Sequence, residues 1–220
     1  MSIKDEYEVR AIQSWECKEW LLAKHYAKRV PPINYAFGLY DSAKTLSGVC
    51  TYGIPASRFE FSIQPYELNR LVVNDRMPSN TLSYFLMGTL RLITLANIIV
   101  SYADENQGHH GYIYQATNWI YTGRSSAEKR IFIDGKETHR KTLYNVYGTS
   151  SLDGIREEGK DVTFEAQMGK HRYFQFTGNK RDASLLRKEV LAKFPSEPYP
   201  KGDNIRYDAS YEPTTQNVLF

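Results

Sequence analysis

The sequence has little cysteine, no long apolar run and no strong charge imbalance. Cys17 and Cys50 are the only two cysteines in 220 residues, too few for a disulfide framework or a cysteine zinc site. No apolar run approaches the roughly 20 residues that a membrane helix needs, and the charged start of the chain argues against a secretory signal. These absences predict a protein without a membrane partner, in a reducing cytoplasmic setting.

The composition is that of a folded globular protein. Hydrophobic residues make up 41% and charged residues 24% of the chain, which excludes collagen-like, coiled-coil and disordered proteins. A chain of this length buries roughly 70% of its unfolded surface, enough for a core. We expect a catalytic core over residues 1–150 and an extension over residues 151–220 that completes the fold.

Hydrophobic periodicity predicts a mixed order of strands and helices. The predicted β-segments are Tyr7–Ile12, Asn34–Tyr40, Leu46–Tyr52, Glu67–Val73, Asn97–Tyr102, Trp119–Thr122, Arg130–Asp134, Thr142–Tyr147, Val162–Ala166 and Arg172–Phe176. The Asp134-Gly135 dipeptide is typical of a hairpin turn. The fold class is therefore α/β, as an α+β mixed sheet.

Helices are predicted at four places. They cover Ser14 to about Arg29, a long segment that Ser79 can cap, about His109 to Thr117, and Ala183–Lys193. Pro31 and Pro32 must end the first of them. Gly148–Lys160 is rich in glycine, serine and charge, which favours a linker or mobile loop.

The junction between the Glu67–Val73 strand and the long helix is a candidate anion site, since a helix N-terminus presents free N–H groups and a positive dipole. Arg76-x-x-Ser79-x-Thr81 resembles the R/Q-x-x-G-x-G/A loop of GNAT-type acyltransferases, with both glycines replaced. That loop holds the pyrophosphate of acyl-coenzyme A. The implied cofactor residues are Leu71, Val72, Val73, Arg76, Met77, Ser79, Asn80 and Thr81. An ordinary capped helix is the alternative interpretation.

A second element follows in the expected order. The segment from Tyr114 to Trp119 resembles the Y-x-x-x-G-F pattern of the same folds, with Asn118 in place of the glycine. Asn tolerates the left-handed conformation better than most residues. The resemblance implies that Tyr114 acts as a general acid near the coenzyme sulfur and that Asn118 joins the cofactor site.

A longer set of motifs resembles one family. The run Val100 to Asp104, the Gly108-His109-His110-Gly111 turn and the Ile113–Gly123 segment are similar to the core signature of Mom, the DNA-modification proteins of bacteriophage Mu and its relatives. His25 to Pro31 is similar to the H-Y-S-x-x-x-P element of the family. Lys170 to Phe174 and Pro198 to Gly202 add support near the C-terminus.

This resemblance implies a phage-encoded, GNAT-like transferase in the host cytoplasm, with acetyl-CoA or a related acyl-CoA as cofactor. Its substrate would be double-stranded DNA, in which it converts adenine to a carbamoylmethyl-type N6 adduct that protects the phage genome from restriction. An iron requirement is also possible, and the oligomeric state stays open.

The exocyclic amine of adenine is a poor nucleophile, so a site must supply a proton acceptor at that amine and fixed hydrogen bonds around it. We predict His25 or Asp104 as acceptor and Ser101 and Tyr26 as orienting groups. His109 or His110, together with Asp104 or His25, could bind iron, although loop packing is the alternative and the metal ligands stay unassigned.

The basic residues are concentrated in two stretches of the second half. Residues 124–141 hold six Lys and Arg against three acids, and residues 170–193 hold seven against two, with aromatics interleaved, as suits a nucleic-acid backbone and an unstacked base. The predicted DNA contacts are Lys28, Arg29, Arg124, Lys129, Arg130, Lys136, Arg140, Lys141, Lys170 and Arg172. A solvated strand face is the alternative.

Two other functions fit parts of the pattern. One is an acyltransferase that acts on a protein or a small amine, and the other is a non-enzymatic phage DNA-binding protein. The latter would need the basic strands but not Tyr114. An amino-methyltransferase is rejected, because Val30-Pro31-Pro32-Ile33 lacks the acidic or amide residue and the aromatic of the D/N-P-P-Y/F loop.

Overall fold

The fold is described from a computed structural model of the chain. It describes residues 3–138 and 140–202, with the side chains of Glu128 and Lys141 left out. Lys141, predicted to contact DNA, therefore lies outside the described side chains. The same is true of the tail from residue 203 onwards, which forms part of the predicted extension.

A seven-stranded mixed sheet organises the molecule. Its strands are β1 (Tyr7–Ala11), β2 (Tyr35–Asp41), β3 (Leu46–Gly53), β4 (Tyr66–Val73), β5 (Ile98–Ala103), β6 (Ile120–Arg124) and β10 (His171–Phe176). Their order across the sheet is β1-β2-β3-β4-β5-β10-β6. All neighbours are antiparallel except β4 and β5, which are parallel. The predicted mixed α+β class is confirmed.

Successive side chains of β5 point to opposite faces of this sheet and pack against different helices. Ile99 belongs to the cluster that includes α2 (Thr81–Leu92) and α3 (Tyr112–Ala116), whereas Ile98 and Val100 pack with α6 (Lys180–Lys193). Because successive side chains of a strand point to opposite faces, Ser101 lies on the α3 face with Ile99. A short helix, α1 (Ile3–Glu6), precedes β1.

A second, three-stranded sheet has its own small core. It consists of β7 (Glu128–Ile133), β8 (Lys136–Thr138) and β9 (Val162–Gln167), in the order β8-β7-β9. Asp134 and Gly135 have φ of 50° and 74° at the β7–β8 turn, which confirms the predicted hairpin.

Two predictions in this region were wrong. Thr142–Tyr147 was predicted as β-structure but contains a helix, α4 (Leu143–Tyr147), and the predicted loop over 148–160 contains α5 (Leu152–Glu157). The reason is tertiary, because Leu143 and Ile155 are fully buried beneath the small sheet.

Two helix boundaries also differ from the prediction. The first helical segment runs from Ser14 to Lys24, as a 3-10 turn followed by a π-helical turn, and ends there because His25 is extended. Ser79 does not cap α2, since the residue before the helix is Asn80, with a left-handed φ of 68° and no side-chain cap.

Strand β10 follows residue 150, yet it lies inside the main sheet between β5 and β6. The segment from 151 onwards therefore supplies a strand to the same sheet as the N-terminal part, and the division at residue 150 stays a prediction. Among the described residues, no helix is both long and apolar enough to cross a membrane.

Candidate functional site

The site begins where two parallel strands part. Strands β4 and β5 pair only through Tyr66 with Ile99 and Glu67 with Val100. Beyond these pairs β4 continues to pair with β3, up to Val73 opposite Gly48. The described edge of β4 that faces β5 is thus open towards the C-terminal ends of both strands, the end at which α/β sites form.

A hydroxyl bridge spans the start of this split. Ser101 Oγ lies 2.9 Å from the carbonyl oxygen of Leu68 and 2.7 Å from Tyr114 Oη. A serine has one hydroxyl proton and a carbonyl only accepts. Ser101 therefore donates to Leu68, and Tyr114 donates to Ser101.

Tyr114 belongs to α3, and its side chain packs into the core. Its ring lies 5.0 Å from the rings of both Trp119 and Tyr173, centroid to centroid, and its side chain is buried. Burial raises the pKa of Tyr114. The hydroxyl consequently keeps its proton at neutral pH.

His25 and Tyr26 form one wall of the site, just after the first helical segment. His25 is 5% exposed, and its ring stacks on Tyr26 at 4.4 Å. Burial, with the nearby Arg70 charge, lowers the pKa of His25 to about 3. The His25 Nδ1 atom accepts a hydrogen bond from the Ala27 backbone at 3.0 Å, so in the neutral ring the proton lies on Nε2.

Asp104 lies directly after β5, near enough to Tyr26 for its charge to act on that side chain. Its Oδ1 atom accepts from the backbone and side-chain nitrogens of Asn106, and its Oδ2 atom lies 3.4 Å from Lys170 Nζ. Desolvation raises the pKa of Tyr26, and the Asp104 charge adds to the rise. Tyr26 also packs edge-on against His109. The predicted residues His25, Tyr26 and Asp104 are thus brought together.

The predicted cofactor residues divide into two groups. Val72 and Thr81 are buried, Leu71, Val73 and Met77 are half-buried, and Arg76, Ser79 and Asn80 are exposed. The Thr81 hydroxyl already donates to the Pro78 carbonyl. Asn118 has the expected left-handed φ, 58°, but its carbonyl lies beside Gln175 of β10.

Comparison with known proteins identifies the family of the chain. The model of the Mom protein family matches residues 6–201, nearly all of the described chain. The chain belongs to the Mom protein family. It is also 28% identical over 209 residues to the protein named methylcarbamoylase mom of Escherichia phage Mu, covering 89% of this chain and 84% of that protein.

The basic residues of this Mom-family chain occupy different environments. Exposed cations are Lys28, Arg29, Lys129, Lys136 and Arg140. Arg172 instead donates to both oxygens of Thr122 and stacks 4.1 Å from the Phe194 ring centroid.

Three further cations are engaged by acids. Arg124 is ion-paired with Glu105, Lys170 with Asp104, and Arg130 lies 3.4 Å and 3.6 Å from two glutamates. The five exposed cations are thus more accessible to a DNA backbone than the cations that are already engaged by protein groups. The predicted DNA contacts themselves stay predictions.

Sequence reasoning gave no role to two residues beside this site, Glu105 and His171. It considered His110 only together with Asp104 or His25. The available signal was strand parity, because His171 and Tyr173 share one face of β10 and Tyr173 packs against Tyr114. The partner strands of β10 could not be read from the sequence.

Proposed function

We propose that this chain modifies the exocyclic amine of adenine in double-stranded phage DNA, leaving a carbamoylmethyl-type group that protects the DNA from host restriction. Membership of the Mom family and the name of the phage Mu relative support the proposal. The observation that carries it is the set of hydroxyl, imidazole and carboxylate groups at the open end of the β4–β5 split.

The transfer replaces one N–H bond of the adenine amine by an N–C bond, so that a proton must leave the nitrogen. Asp104 suits the acceptor role better than His25. Its carboxylate can only accept when ionised, whereas the neutral His25 ring offers an N–H at Nε2 because Nδ1 is occupied. We assign His25 and Tyr26 to holding the base, which must leave the duplex stack to reach the split.

We further propose that an acyl-CoA binds along the open edge of β4. Such a cofactor, when bound, would supply a two-carbon unit whose thiolate leaves from the carbonyl carbon, the carbon that becomes the amide carbon of the carbamoylmethyl group. The fit rests on the edge of Leu71–Val73, which does not pair with β5, and on the exposed loop before α2, whose N-terminus favours phosphate. The carboxylate of Asp75 in this loop would repel an anion. The buried Lys24 Nζ, 3.2 Å from the Asp75 carboxylate, offsets that repulsion.

Tyr114 would then donate a proton beside the cofactor, with Ser101 as its hydrogen-bond partner. The Tyr114 hydroxyl keeps its proton at neutral pH and points it at Ser101. If Tyr114 turns this proton towards a departing group, Ser101 can reorient and donate to the Tyr114 oxygen. The hydrogen bond to Leu68 is lost in that arrangement, and the hydrogen bond from Ser101 stabilises the negative charge that the transfer leaves on the Tyr114 oxygen until that oxygen is reprotonated.

The decisive experiment is mass analysis of nucleosides from DNA of cells that express the protein. We expect deoxyadenosine in which a carbamoylmethyl group replaces one hydrogen, and Asp104→Asn should abolish it. A carbamoylmethyl group attaches through its methylene carbon, so an acetyl adduct would contradict the proposed product. Unmodified DNA together with a modified protein or small amine would favour the alternative acyltransferase.

Cofactor binding has its own test, independent of DNA. Calorimetry with acetyl-CoA should show binding that Ser79→Glu weakens at least several-fold, because the added charge opposes the phosphates at the start of α2. Thr94→Glu is the matched control, since it adds the same charge to an exposed residue just beyond the other end of α2. Equal effects of both substitutions, or no binding, would contradict this cofactor site.

A further inference from the structure

A buried ion pair joins the His25–Tyr26 wall to the loop before α2. The side chain of Lys24 is fully shielded from solvent, and its Nζ atom donates a hydrogen bond to Asp75 Oδ2 at 3.2 Å. The Asp75 side chain is itself 53% exposed. Lysine is almost never fully buried unless it is paired, because an ammonium group is costly to desolvate. The burial of this charge therefore calls for an explanation other than core packing.

Lys24 is the last residue of the first helical segment. The His25 backbone nitrogen donates to the Trp20 carbonyl at 3.0 Å and closes the final turn, whereas His25 itself is extended. Trp20 of the same turn belongs to one buried cluster with Val72 of β4. The position of Lys24 therefore sets where the chain leaves the turn, and with it where the rings of His25 and Tyr26 lie.

Asp75 lies in a loop whose backbone needs support from outside. Two residues of this loop that are not glycine have a left-handed φ, 59° at Arg76 and 68° at Asn80. Such conformations are uncommon for residues with a Cβ and persist where surrounding contacts hold them. The Asn74 backbone nitrogen donates to the Ser47 carbonyl at 2.9 Å and anchors the loop to β3. The ion pair of Asp75 anchors it to the first helical segment.

We propose that Lys24 is a positioning residue, whose ion pair with Asp75 locks the His25–Tyr26 wall to the loop before α2. The inference rests on the proposed function, which assigns the wall to the adenine base and the loop to the phosphates of the cofactor. A misplacement of about 1 Å between reacting groups can cost about 10²-fold in rate. The ion pair fixes the two elements relative to each other, and fixing one arrangement is the best-attested use of a buried polar pair.

The two partners differ in what their removal leaves behind. Lys24→Met keeps an unbranched side chain of similar length in the core, and the half-exposed carboxylate of Asp75 can then be solvated by water. Asp75→Asn instead leaves a buried ammonium without this carboxylate, a change that is strongly destabilising in general. Lys24→Met is therefore the main variant, because it opens the lock with the smaller loss of stability. The double variant Lys24→Met/Asp75→Asn carries no charge at either position.

Hydrogen–deuterium exchange of the full chain tests the lock without DNA or cofactor. Amides of both elements are hydrogen-bonded, at Ala27 and Lys28 after the wall and at Asn74 in the loop. We expect Lys24→Met to speed exchange at least several-fold over residues 25–28 and also over residues 74–80, because each element loses its anchor.

Two further variants separate the lock from a general loss of stability. The double variant should exchange no faster than Lys24→Met in either segment, because both substitutions remove the same interaction. Lys160→Met is the matched control, since Lys160 forms an ion pair with Asp134 at 2.8 Å in the region of the small sheet. It should leave the exchange of both segments unchanged.

DNA modification separates a positioning role from a purely structural one. At equal amounts of folded protein, established by melting curves, Lys24→Met should modify DNA about 10²-fold more slowly. Saturating DNA and acetyl-CoA should not restore the rate, because the loss lies in geometry and not in binding. A residue that contributes only stability would leave the rate per folded molecule at the wild-type value.

The proposal is overturned if Lys24→Met speeds exchange in neither segment or only in its own, or if the folded variant modifies DNA at the wild-type rate. A wild-type protein that forms no modified nucleoside would contradict the proposed function alone. In that case the exchange of residues 25–28 and 74–80 still decides whether the lock exists.

Discussion

Ser101 Oγ accepts a hydrogen bond from Tyr114 Oη at 2.7 Å, at the point where β4 and β5 stop pairing. The bond joins the central strand to α3 and places two hydroxyl groups at the base of the open split. Because the Ser101 hydroxyl donates its hydrogen bond to the Leu68 carbonyl, the three groups form a chain in which each hydroxyl donates to the next group. Replacing one of the two hydroxyl groups at a time therefore tests its role in DNA modification separately.

Tyr114→Phe should reduce DNA modification without unfolding the protein. The ring packing against Trp119 and Tyr173 is retained, and only the hydroxyl is lost. General-acid contributions are about 10²–10⁴-fold, whereas one lost hydrogen bond costs about 1 kcal/mol of stability. Modified nucleoside per unit of folded protein is the measurement.

Tyr52→Phe provides the control for that variant. Tyr52 is fully buried in the same core, and its hydroxyl lies 2.5 Å from Thr89 Oγ1 of α2, so that this hydrogen bond is separate from the bond between Ser101 and Tyr114. The Tyr52→Phe protein should lose about as much stability as the Tyr114→Phe protein and should modify DNA at the wild-type rate. Modification by Tyr114→Phe at the rate of Tyr52→Phe would show that Tyr114 has only a packing role.

His25 should make stability depend on pH. Its pKa is about 3 in the folded protein and near 6.5 in the unfolded chain. The unfolded chain therefore takes up a proton first, and stability is lost as pH falls from about 6.5 towards 3, by up to roughly 1.4 kcal/mol per pH unit.

His25→Asn removes this titration and keeps an acceptor near Ala27. Urea unfolding at pH 7 and pH 5 should show that the wild-type protein loses about 2 kcal/mol more than the variant between these pH values. Identical losses in both proteins would mean that His25 is protonated equally in the folded and unfolded states.

Lys28 and Arg29 should contact DNA, since both are exposed beside the His25–Tyr26 wall. Replacing both by Gln should weaken binding to duplex DNA and reduce the slope of log affinity against log salt by about 0.9 for each phosphate that is no longer neutralised. The control replaces Arg187 and Lys188, exposed on α6 across the sheet, by Gln. An equal change of slope in both proteins would indicate a non-local charge effect.

Gly111→Ala should destabilise the turn that positions His110. Gly111 has φ of 79°, and an added Cβ would lie 2.5 Å from the buried Tyr173 ring. Gly135→Ala has a similar φ, 74°, but meets nothing within 4 Å. We expect the Gly135 variant to lose about 1–2 kcal/mol and the Gly111 variant about 1–3 kcal/mol more, by urea unfolding. Equal losses would mean that the Tyr173 ring moves aside without cost.

The sequence by itself determined the local elements whose patterns are self-contained. The apolar run of β5, the stripe of α2 and the Asp134-Gly135 turn were all predicted, because each depends on side-chain periodicity or on a backbone conformation that few residues adopt. The family signature likewise brought His25, Tyr26, Asp104 and Tyr114 to one site.

Only the tertiary structure decided the features that depend on pairing between distant segments. Leu143 and Ile155 form helices because a small sheet covers them, and nothing in their own segments indicates that sheet. His171 meets Glu105 and His110 because β10 inserts between β5 and β6. Strand order is set by the total burial of the sheet, and short-range sequence patterns carry no record of it.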